Sequence, residues 1–354
     1  MASINKEIFK KIKANKSKWA EEILDYQFNQ QPKLKDNYTH EQKEKCLEDI
    51  NYHLTYLAES ISLSSKSLFS NYISWIKVLF KNLNLNKDGL INNFKYTKDI
   101  LNEKFNEEEN YIINSFIKKA IEELKKEGEE LDSYLVEEND LYELASNYLD
   151  TLLNGSREEA NNLIINAVED GIEIKKIYLN VFQPVQREIG RLWQLNKLSV
   201  AKEHYSTSVT QLIMSRLYPY FLGSGEKNCS CITTCAGGEL HELGIRMIAD
   251  LMEMDGWDTI HLGANTPIES IVDEIKEREV DLLGISATII SNLHKVENII
   301  NAVRNDSQIA NIKIMVGGYP FNIKENLWKE VGADAYAPDL REAVEVANRL
   351  CNKG

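Results

Sequence analysis

The chain has 354 residues, of which 43% are hydrophobic and 27% charged, with a formal net charge of -14 and a pI of about 5.1. This composition predicts a globular protein of two or three domains with sizeable cores. The acidity argues against binding to nucleic acid or to anionic membrane surfaces, and no apolar run approaches the ~20 residues that a membrane span needs. The start lacks a secretory apolar core and the five cysteines show no spacing of a disulfide framework, so we expect a cytoplasmic protein.

Residues 1–125 carry helical periodicity and no strand signal. Apolar residues recur at spacings of three and four in "KSKWAEEILDYQF", "HEQKEKCLEDINYHLTYLAESI", "SLFSNYISWIKVLF" and "NYIINSFIKKAIEEL". We expect an all-α domain here. Residues 126–140 are acidic, have no sustained apolar stripe and are predicted to be a linker, with a solvated helix end as the alternative.

Four further helices are predicted over residues 141–223. The first ends at Gly155, the second is capped by Ser156, the third runs through "IKKIYLNVFQPVQREIGRLWQ", and the fourth starts at Ser199. Their short connections predict an antiparallel four-helix bundle.

From residue 225 to residue 354 strand and helix patterns alternate. The strand candidates are "CSCITTC", "DTIHLG", "DLLGISA", "KIMVGG" and "AYAP", each followed by a helix. This order predicts a Rossmann-like, flavodoxin-like domain with a five-stranded parallel sheet, in which ligands bind at the carboxyl ends of the strands. The odd-numbered positions of Cys229, Cys231 and Cys235 place all three on one face of the sheet, where we expect small core residues.

His241 lies in "GGELHELG", a Gly-rich turn between the first strand and its helix. An imidazole at a strand end suits cobalt, iron, nickel, copper or zinc, and Glu239 is close enough in sequence to hold the second ring nitrogen. Gly244 leaves room beside the helix for a bulky group. The alternative is a packed or surface histidine, because Gly-rich turns occur in every doubly wound domain.

Two other strand ends carry residues suited to a ligand. "SAT", Ser286 to Thr288, offers small hydroxyls, and Gly317 with Gly318 lets a ligand approach the backbone closely. The residues at three strand ends therefore predict one ligand site at the carboxyl edge of the sheet.

"ELHELG", "SAT" and "VGG", in this order over residues 225–354, closely resemble the cobalamin-binding domain of methionine synthase, corrinoid methyltransfer proteins and CarH-type photoreceptors. The resemblance implies that His241 is the lower axial ligand of cobalt, in place of the dimethylbenzimidazole of the cofactor. It also implies that Glu239 and Asn292 polarise His241, and that the slot for the displaced nucleotide tail is lined by Ser286, Thr288, Gly317 and Gly318.

The stretch "LWQLNKLSVAKEH" bears on the upper face of the corrin. Trp193 and Glu203 are ten residues apart, which on one continuous helix would separate them by ~15 Å and keep them out of a common pocket. Asn196 and Lys197, followed by Ser199 as a cap, predict a break that folds the second helix back.

Trp, nine residues, then Glu-His is similar to the pattern of the CarH-type light sensors. This resemblance implies adenosylcobalamin, with Trp193 packed against the adenosyl group and Glu203 and His204 beside it. Gln194 stands where those sensors that form a bis-histidine adduct carry a histidine, so that adduct is not expected here.

The stretch "CLEDINYHLTYLAESISL" resembles the amino-terminal domain of photocobilin-like proteins. The resemblance implies a globin-like helical fold that binds a bilin such as biliverdin. A structural histidine and a half-buried thiol at Cys46 are the alternatives to a bilin pocket and a thioether site. The candidate pocket residues are His53, Tyr52, Tyr56 and Trp75.

The leading functional expectation is a light sensor rather than an enzyme, with no catalytic residues assigned. In this hypothesis, light breaks the cobalt–carbon bond of adenosylcobalamin, and the bundle moves and signals through a homo-oligomer or an unidentified effector. A corrinoid carrier that shuttles methyl groups for a methyltransferase is the alternative. A scaffold without a cofactor is the third hypothesis.

Overall fold

The computed structural model describes residues 2–33, 38–127, 130–221 and 227–351, which form two compact units divided between Glu129 and Glu130. The predicted boundaries at residues 223 and 225 lie outside the described residues. None of the helices in the described ranges is both long and apolar enough to cross a membrane.

The described part of unit 1 is helical. The sequence patterns did not include α4, whose side-chain cap Asn86 accepts a hydrogen bond from the Asp88 amide (2.8 Å). Polar residues dilute its apolar stripe, although Phe94 and Leu101 are fully buried. The helices are α1 (Ala2–Gln30), α2 (His40–Ser62), α3 (Lys66–Asn82), α4 (Lys87–Asn102) and α5 (Glu107–Lys125).

Unit 2 begins with an irregular segment and then a helical bundle. Ser199 caps the last long helix by accepting from the Lys202 amide, as expected. Ser156 occupies a cap position, but its side chain makes no capping hydrogen bond to the described chain, contrary to expectation. The bundle consists of α6 (Tyr142–Leu153), α7 (Arg157–Glu169), α8 (Ile174–Ile177), a π-helical turn (Tyr178–Phe182), α9 (Gln183–Gln194) and α10 (Val200–Leu217).

The turn between α9 and α10 contains the predicted break. Asn196 takes a left-handed conformation with φ of 55°, and α10 starts four residues later. Asparagine tolerates this conformation better than most residues. The two helices therefore fold back on each other.

The second half of unit 2 contains the predicted five-stranded parallel sheet. Its order is β2-β1-β3-β4-β5, the flavodoxin-like order. The strands are β1 (Ser230–Cys235), β2 (Asp258–Gly263), β3 (Leu282–Ser286), β4 (Lys313–Gly317) and β5 (Ala335–Ala337).

Helices flank this sheet along the chain. The predicted helix in "NIKENLWKEVG" is instead two short helices, because Asn326 interrupts it with φ of 60°. The helices are α11 (Leu243–Met254), α12 (Ile268–Arg278), α13 (Leu293–Arg304), α14 (Tyr319–Ile323), α15 (Leu327–Glu330) and α16 (Leu340–Cys351).

The bundle and the sheet domain share one hydrophobic core. Phe182 and Ile213 from the bundle belong to the same buried cluster as Met247 and Leu251 of α11. A polar contact accompanies it, since the hydroxyl of Tyr178 donates to Asp250 Oδ2 at 2.7 Å. The bundle is thus held against one side of the sheet domain.

Cys229 and Cys351 form a disulfide, contrary to the expectation that the cysteines would not pair. They are 122 residues apart in sequence, and the fold brings the end of α16 beside the start of β1, with a Cα–Cα distance of 6.3 Å. Spacing along the chain could not show this proximity. Cys231 and Cys235 are buried, as expected for core residues.

Candidate functional site

A cavity of about 790 Å³ lies between the bundle and the carboxyl ends of the strands. Its volume is in the upper part of the range of small-molecule sites. Nine of the eleven residues predicted for the cofactor site line it: Trp193, Glu203, His204, His241, Gly244, Ser286, Thr288, Gly317 and Gly318.

Sheet register explains why the three motifs meet. Cys235, the last residue of β1, pairs with Ser286, and Ser286 pairs with Gly317 in the next strand. The loops that follow these three residues therefore start at the same level of the sheet and open on the same edge.

His241 and Glu239 form a short hydrogen-bonded pair in the loop after β1. The His241 Nδ1 lies 2.5 Å from Glu239 Oε1, which also accepts from the His241 amide at 3.1 Å. The His241 side chain is 58% exposed whereas that of Glu239 is fully buried. The carboxylate thus orients the ring from behind and the imidazole faces the cavity.

The second oxygen of Glu239 is held by the loop after β3. Oε2 accepts hydrogen bonds from the amides of Thr288 (2.9 Å) and Ile289 (3.0 Å) and from Asn292 Nδ2 (3.2 Å). Glu239 and Asn292 do not line the cavity themselves but lie behind His241. One oxygen of this carboxylate thus holds His241 while the other binds the β3 loop, so Glu239 connects the two loops.

These contacts keep Glu239 ionised. Burial alone would raise its pKa, but the hydrogen bonds from His241 and from the Ile289 and Thr288 amides lower the pKa to about 2. The same hydrogen bond raises the pKa of His241, against the opposing effect of burial; the negative charge of Glu203 adds to the increase. Glu203 and His241 both line the cavity.

The donor set fits a metal that brings most of its own ligands. In the described ranges no group of three or more His, Cys, Asp or Glu side chains could hold a metal ion. One imidazole cannot complete the coordination of a bare zinc or iron ion, which takes several protein ligands. A cobalt already held by a corrin needs only one such donor.

Three glycines, Gly244, Gly317 and Gly318, line the cavity. Gly318 has φ of 103°, and a Cβ there would lie 2.0 Å from the carbonyl oxygen of Ala287. A Cβ on Gly317 would lie 3.1 Å from the Ala337 carbonyl oxygen. A Cβ on Gly244 would meet no described atom within 4 Å, so the space beside it is open to the cavity.

The wall formed by α9 and α10 carries a chain of polar groups. His204 Nδ1 lies 2.5 Å from Glu203 Oε2, and Thr207 Oγ1 lies 3.0 Å from Glu203 Oε1 and 3.1 Å from Gln186 Oε1. Gln186 in turn donates to Thr210 in the bundle core (2.8 Å). Glu203 is thus held by two neighbours on α10, and one of them, Thr207, connects it to Gln186 of α9.

Several lining residues were missed in the sequence. Gln183, Gln186 and Gly190 share one face of α9 with Trp193, at helical spacings that could have revealed them. Glu242 accepts from the Ala264 amide (2.9 Å) and from Gln211 (3.3 Å), which connects the histidine loop to the β2 loop and to the bundle. No local pattern predicts those contacts.

The four candidate bilin residues of unit 1 do not share one open surface. His53 is 3% exposed and its Nδ1 lies 2.6 Å from the Tyr72 hydroxyl; burial lowers the pKa of His53 to about 3. Tyr56 stacks on Tyr72 at 3.8 Å, whereas Tyr52 is 57% exposed and Trp75 is half-buried. His53 therefore has the environment of a structural histidine.

Cys46, the candidate thioether site, is half-buried near Tyr38 and Asp49. Burial and the charge of Asp49 raise the pKa of its thiol. A thiol with a raised pKa is less reactive than a free cysteine.

Residues 229–346 match the family model described as B12 binding domain, and residues 144–218 match a second model with the same description. These matches support cobalamin binding by unit 2. Residues 2–124 match the phycobilisome protein model.

Individual relatives of the cobalamin-binding unit are corrinoid proteins. A dimethylamine corrinoid protein of Methanosarcina acetivorans is 29% identical over 114 residues, which are 32% of this chain and 52% of that protein. A corrinoid protein of Desulfitobacterium hafniense is 21% identical over 207 residues, which are 57% of this chain and 94% of that protein. The chain thus spans about half the length of the first of these relatives and nearly all of the second.

A solved structure shows the same fold. The Methanosarcina barkeri monomethylamine corrinoid protein matches with a TM-score of 0.54 at 21% identity, over 59% of this chain and 99% of that chain. The bundle and parallel sheet of the cobalamin-binding unit are therefore an arrangement found in a known corrinoid protein.

The expectation of a light sensor is wrong. The relatives are named as corrinoid proteins, two of them after methylamines, and they favour the alternative of a methyl carrier. The prediction of a light sensor rested on a pattern of three residues in one helical hairpin, Trp193, Glu203 and His204. Such a short pattern was not enough to assign a function to the whole chain.

Proposed function

We propose that unit 2 binds cobalamin with His241 as the lower axial ligand of cobalt and carries methyl groups for a methyltransferase. The observation that carries the proposal is the His241 imidazole, which faces the cavity while a buried carboxylate holds its Nδ1. The names of the relatives support the methyl-carrier part.

Glu239 gives His241 the properties of a metal ligand. An ionised carboxylate on Nδ1 retains the proton there, which leaves the lone pair on Nε2 for the metal. It also increases the electron density that the imidazole donates. Because the amides of Thr288 and Ile289 hold this carboxylate, the ring is oriented before any ligand arrives.

We propose that the displaced nucleotide tail occupies the slot beside β3 and β4. Ser286 and Thr288 would offer hydroxyls to its polar atoms, and Gly317 and Gly318 would let it approach the backbone. A side chain at Gly318 would instead strain the backbone against Ala287.

The bundle is proposed to cover the upper face. A bound cobalamin supplies a cobalt that accepts a methyl group and gives it up. Trp193 and the polar chain from His204 to Gln186 line the cavity opposite His241 and would limit the entry of water. A methyltransferase, the proposed partner, would have to pass this wall to reach the upper face of the corrin. That the chain forms a homo-oligomer stays a prediction.

A comparison of two upper ligands tests the methyl-carrier proposal. Absorption titrations would give dissociation constants for methylcobalamin and adenosylcobalamin. We expect methylcobalamin to bind at least as tightly as the adenosyl form, and Trp193→Ala to leave its affinity unchanged. Adenosylcobalamin binding more than about tenfold tighter, with the preference lost in Trp193→Ala, would contradict the proposal and favour the predicted adenosyl pocket.

We propose separately that unit 1 binds a bilin such as biliverdin. The phycobilisome match over residues 2–124 supports this proposal, and the burial of His53 argues that its imidazole is not the contact. Adding biliverdin to the full chain should shift the bilin absorption bands in wild type and in Cys46→Ala alike. An unshifted spectrum in wild type would contradict the proposal.

A further inference from the structure

Residues 130–141, here called the strap, connect the last helix of unit 1 to the bundle and are fastened to α9. The Glu188 carboxylate accepts from the Tyr134 amide (3.0 Å), and Arg191 Nη1 donates to the Leu131 carbonyl (2.9 Å). Both anchoring side chains come from one face of α9. The first half of the strap is therefore held at two points, three residues apart.

The anchor is a nearly buried ion pair. Arg191 Nε and Nη2 donate to the two oxygens of Glu188 at 2.9 and 2.6 Å, and their side chains are 14% and 6% exposed. Such a bidentate pair has a fixed geometry. Because the same two residues bond the strap backbone, they set its position on the helix.

The second half of the strap is anchored independently. Asn139 Nδ2 donates to the Asn180 carbonyl (2.7 Å) in the π-helical turn, and Leu135 packs against the core of unit 2. The strap is thus fixed on both sides of Tyr134.

These anchors place Tyr134 on the cavity. Tyr134 is 47% exposed and lines the cavity together with Arg187 and Trp193 on the bundle side, whereas His241 lies on the sheet side. A bulky aromatic residue at the rim of a cavity limits the size and approach of what enters. The strap has no other residue on the cavity wall among those described.

We infer that Tyr134 is a specificity-determining residue that partly closes the upper rim of the cavity and controls which molecules reach the upper face of a bound corrin. Glu188 and Arg191 are its positioning residues. The inference rests on the cobalamin-binding part of the proposed function and not on methyl transfer.

Cyanide exchange at the cobalt tests the inference. The full chain is loaded with aquocobalamin, cyanide is added, and the rate of the absorption change is measured. We expect Tyr134→Ala to increase the second-order rate constant about tenfold, because the rim opens. Tyr134→Phe, which keeps the ring, should exchange at the wild-type rate.

Tyr220→Ala is the matched control, since Tyr220 is 51% exposed in unit 2 and does not line the cavity. Its exchange rate should equal that of wild type. Equal rates in loaded Tyr134→Ala and Tyr220→Ala would overturn the inference while leaving the proposed function intact. Failure of wild type to take up aquocobalamin would overturn both.

Glu188→Gln tests the positioning role. It keeps the size of the side chain but removes the charge that holds Arg191, so it should raise the exchange rate and reduce hydrogen-exchange protection of the Tyr134 amide. Unchanged protection together with an unchanged rate would overturn the role of the ion pair. The Tyr134→Ala result decides the main inference even where Glu188→Gln fails to fold.

Discussion

Nδ1 of His241 lies 2.5 Å from Oε1 of Glu239, and this carboxylate is fully buried although the imidazole it holds is more than half exposed. The buried Glu239 carboxylate therefore accepts a hydrogen bond from the His241 ring and holds that ring towards the cavity.

Glu239→Gln should weaken cobalamin binding by about 10- to 100-fold, the usual cost of losing a partner behind a metal ligand. Glutamine offers one acceptor oxygen, and if the amides of Thr288 and Ile289 take it, the NH2 group faces His241 Nδ1 and disfavours the required tautomer. Absorption titration with aquocobalamin measures the change. Glu274→Gln, at a half-buried position of α12 that does not line the cavity, is the control; equal affinities for both variants would contradict the role of Glu239.

Gly318→Ala and Gly244→Ala should have different effects on the stability of the free protein. The methyl group at Gly318 would meet the Ala287 carbonyl at 2.0 Å, so this variant should lose stability even without cofactor. At Gly244, in the first turn of α11, alanine has open space and should stabilise the free protein by up to about 1 kcal/mol while weakening cobalamin binding. Thermal unfolding and titration of both variants check this; an unaffected affinity in Gly244→Ala would show that the open space is not used.

Much of the fold and the outline of the site were predictable because they depend on local patterns. Strand and helix periodicity gave the five parallel strands, and the order of the three motifs placed His241, Ser286 and Gly317 at strand ends that the register then aligns. Asn196 and Lys197, followed by Ser199, predicted the turn after α9, where Asn196 takes a left-handed conformation and Ser199 caps α10.

Contacts between residues distant in sequence were not predictable. Tyr134, a residue of the cavity wall, donates its amide to Glu188, which lies 54 residues later, and an acidic linker gives no sign of such a contact. The Cys229–Cys351 pairing depends on where α16 ends. The environment of His53 likewise depends on Tyr72, which belongs to the next helix.

Asp250 should make stability depend on pH. Burial raises its pKa to about 6, although the Tyr178 hydroxyl donates to it, whereas in the unfolded chain the value is about 3.9. Between these values the folded state binds more protons, so stability falls as the pH rises from about 4 to about 6. Asp250→Asn lacks this effect.

We therefore expect the stability of Asp250→Asn relative to wild type to increase by on the order of 2 kcal/mol between pH 4 and pH 7. Urea unfolding of both proteins at each pH measures the difference. A difference that stays constant across this range would show that Asp250 titrates normally in the folded state.

Removing the disulfide should destabilise unit 2. Cross-links that close long loops typically contribute about 2–5 kcal/mol, and this one spans 122 residues. Cys351→Ala, or treatment of wild type with dithiothreitol, should lower the midpoint of thermal unfolding. Cys46→Ala is the control, and dithiothreitol should lower its midpoint by as much as it lowers that of wild type. Thiol titration of the denatured, unreduced protein should find three free thiols, those of Cys46, Cys231 and Cys235; five would contradict the pairing.

Cobalamin binding by His241→Ala tests the ligand assignment itself. Purified wild type and variant are titrated with aquocobalamin and the absorption spectrum is recorded at each addition, with His40→Ala as the control for loss of a histidine outside unit 2. We predict that wild type and His40→Ala share one bound spectrum, and that His241→Ala loses at least about 100-fold in affinity together with the spectral signature of imidazole ligation. Unchanged affinity and an unchanged bound spectrum in His241→Ala would contradict the account.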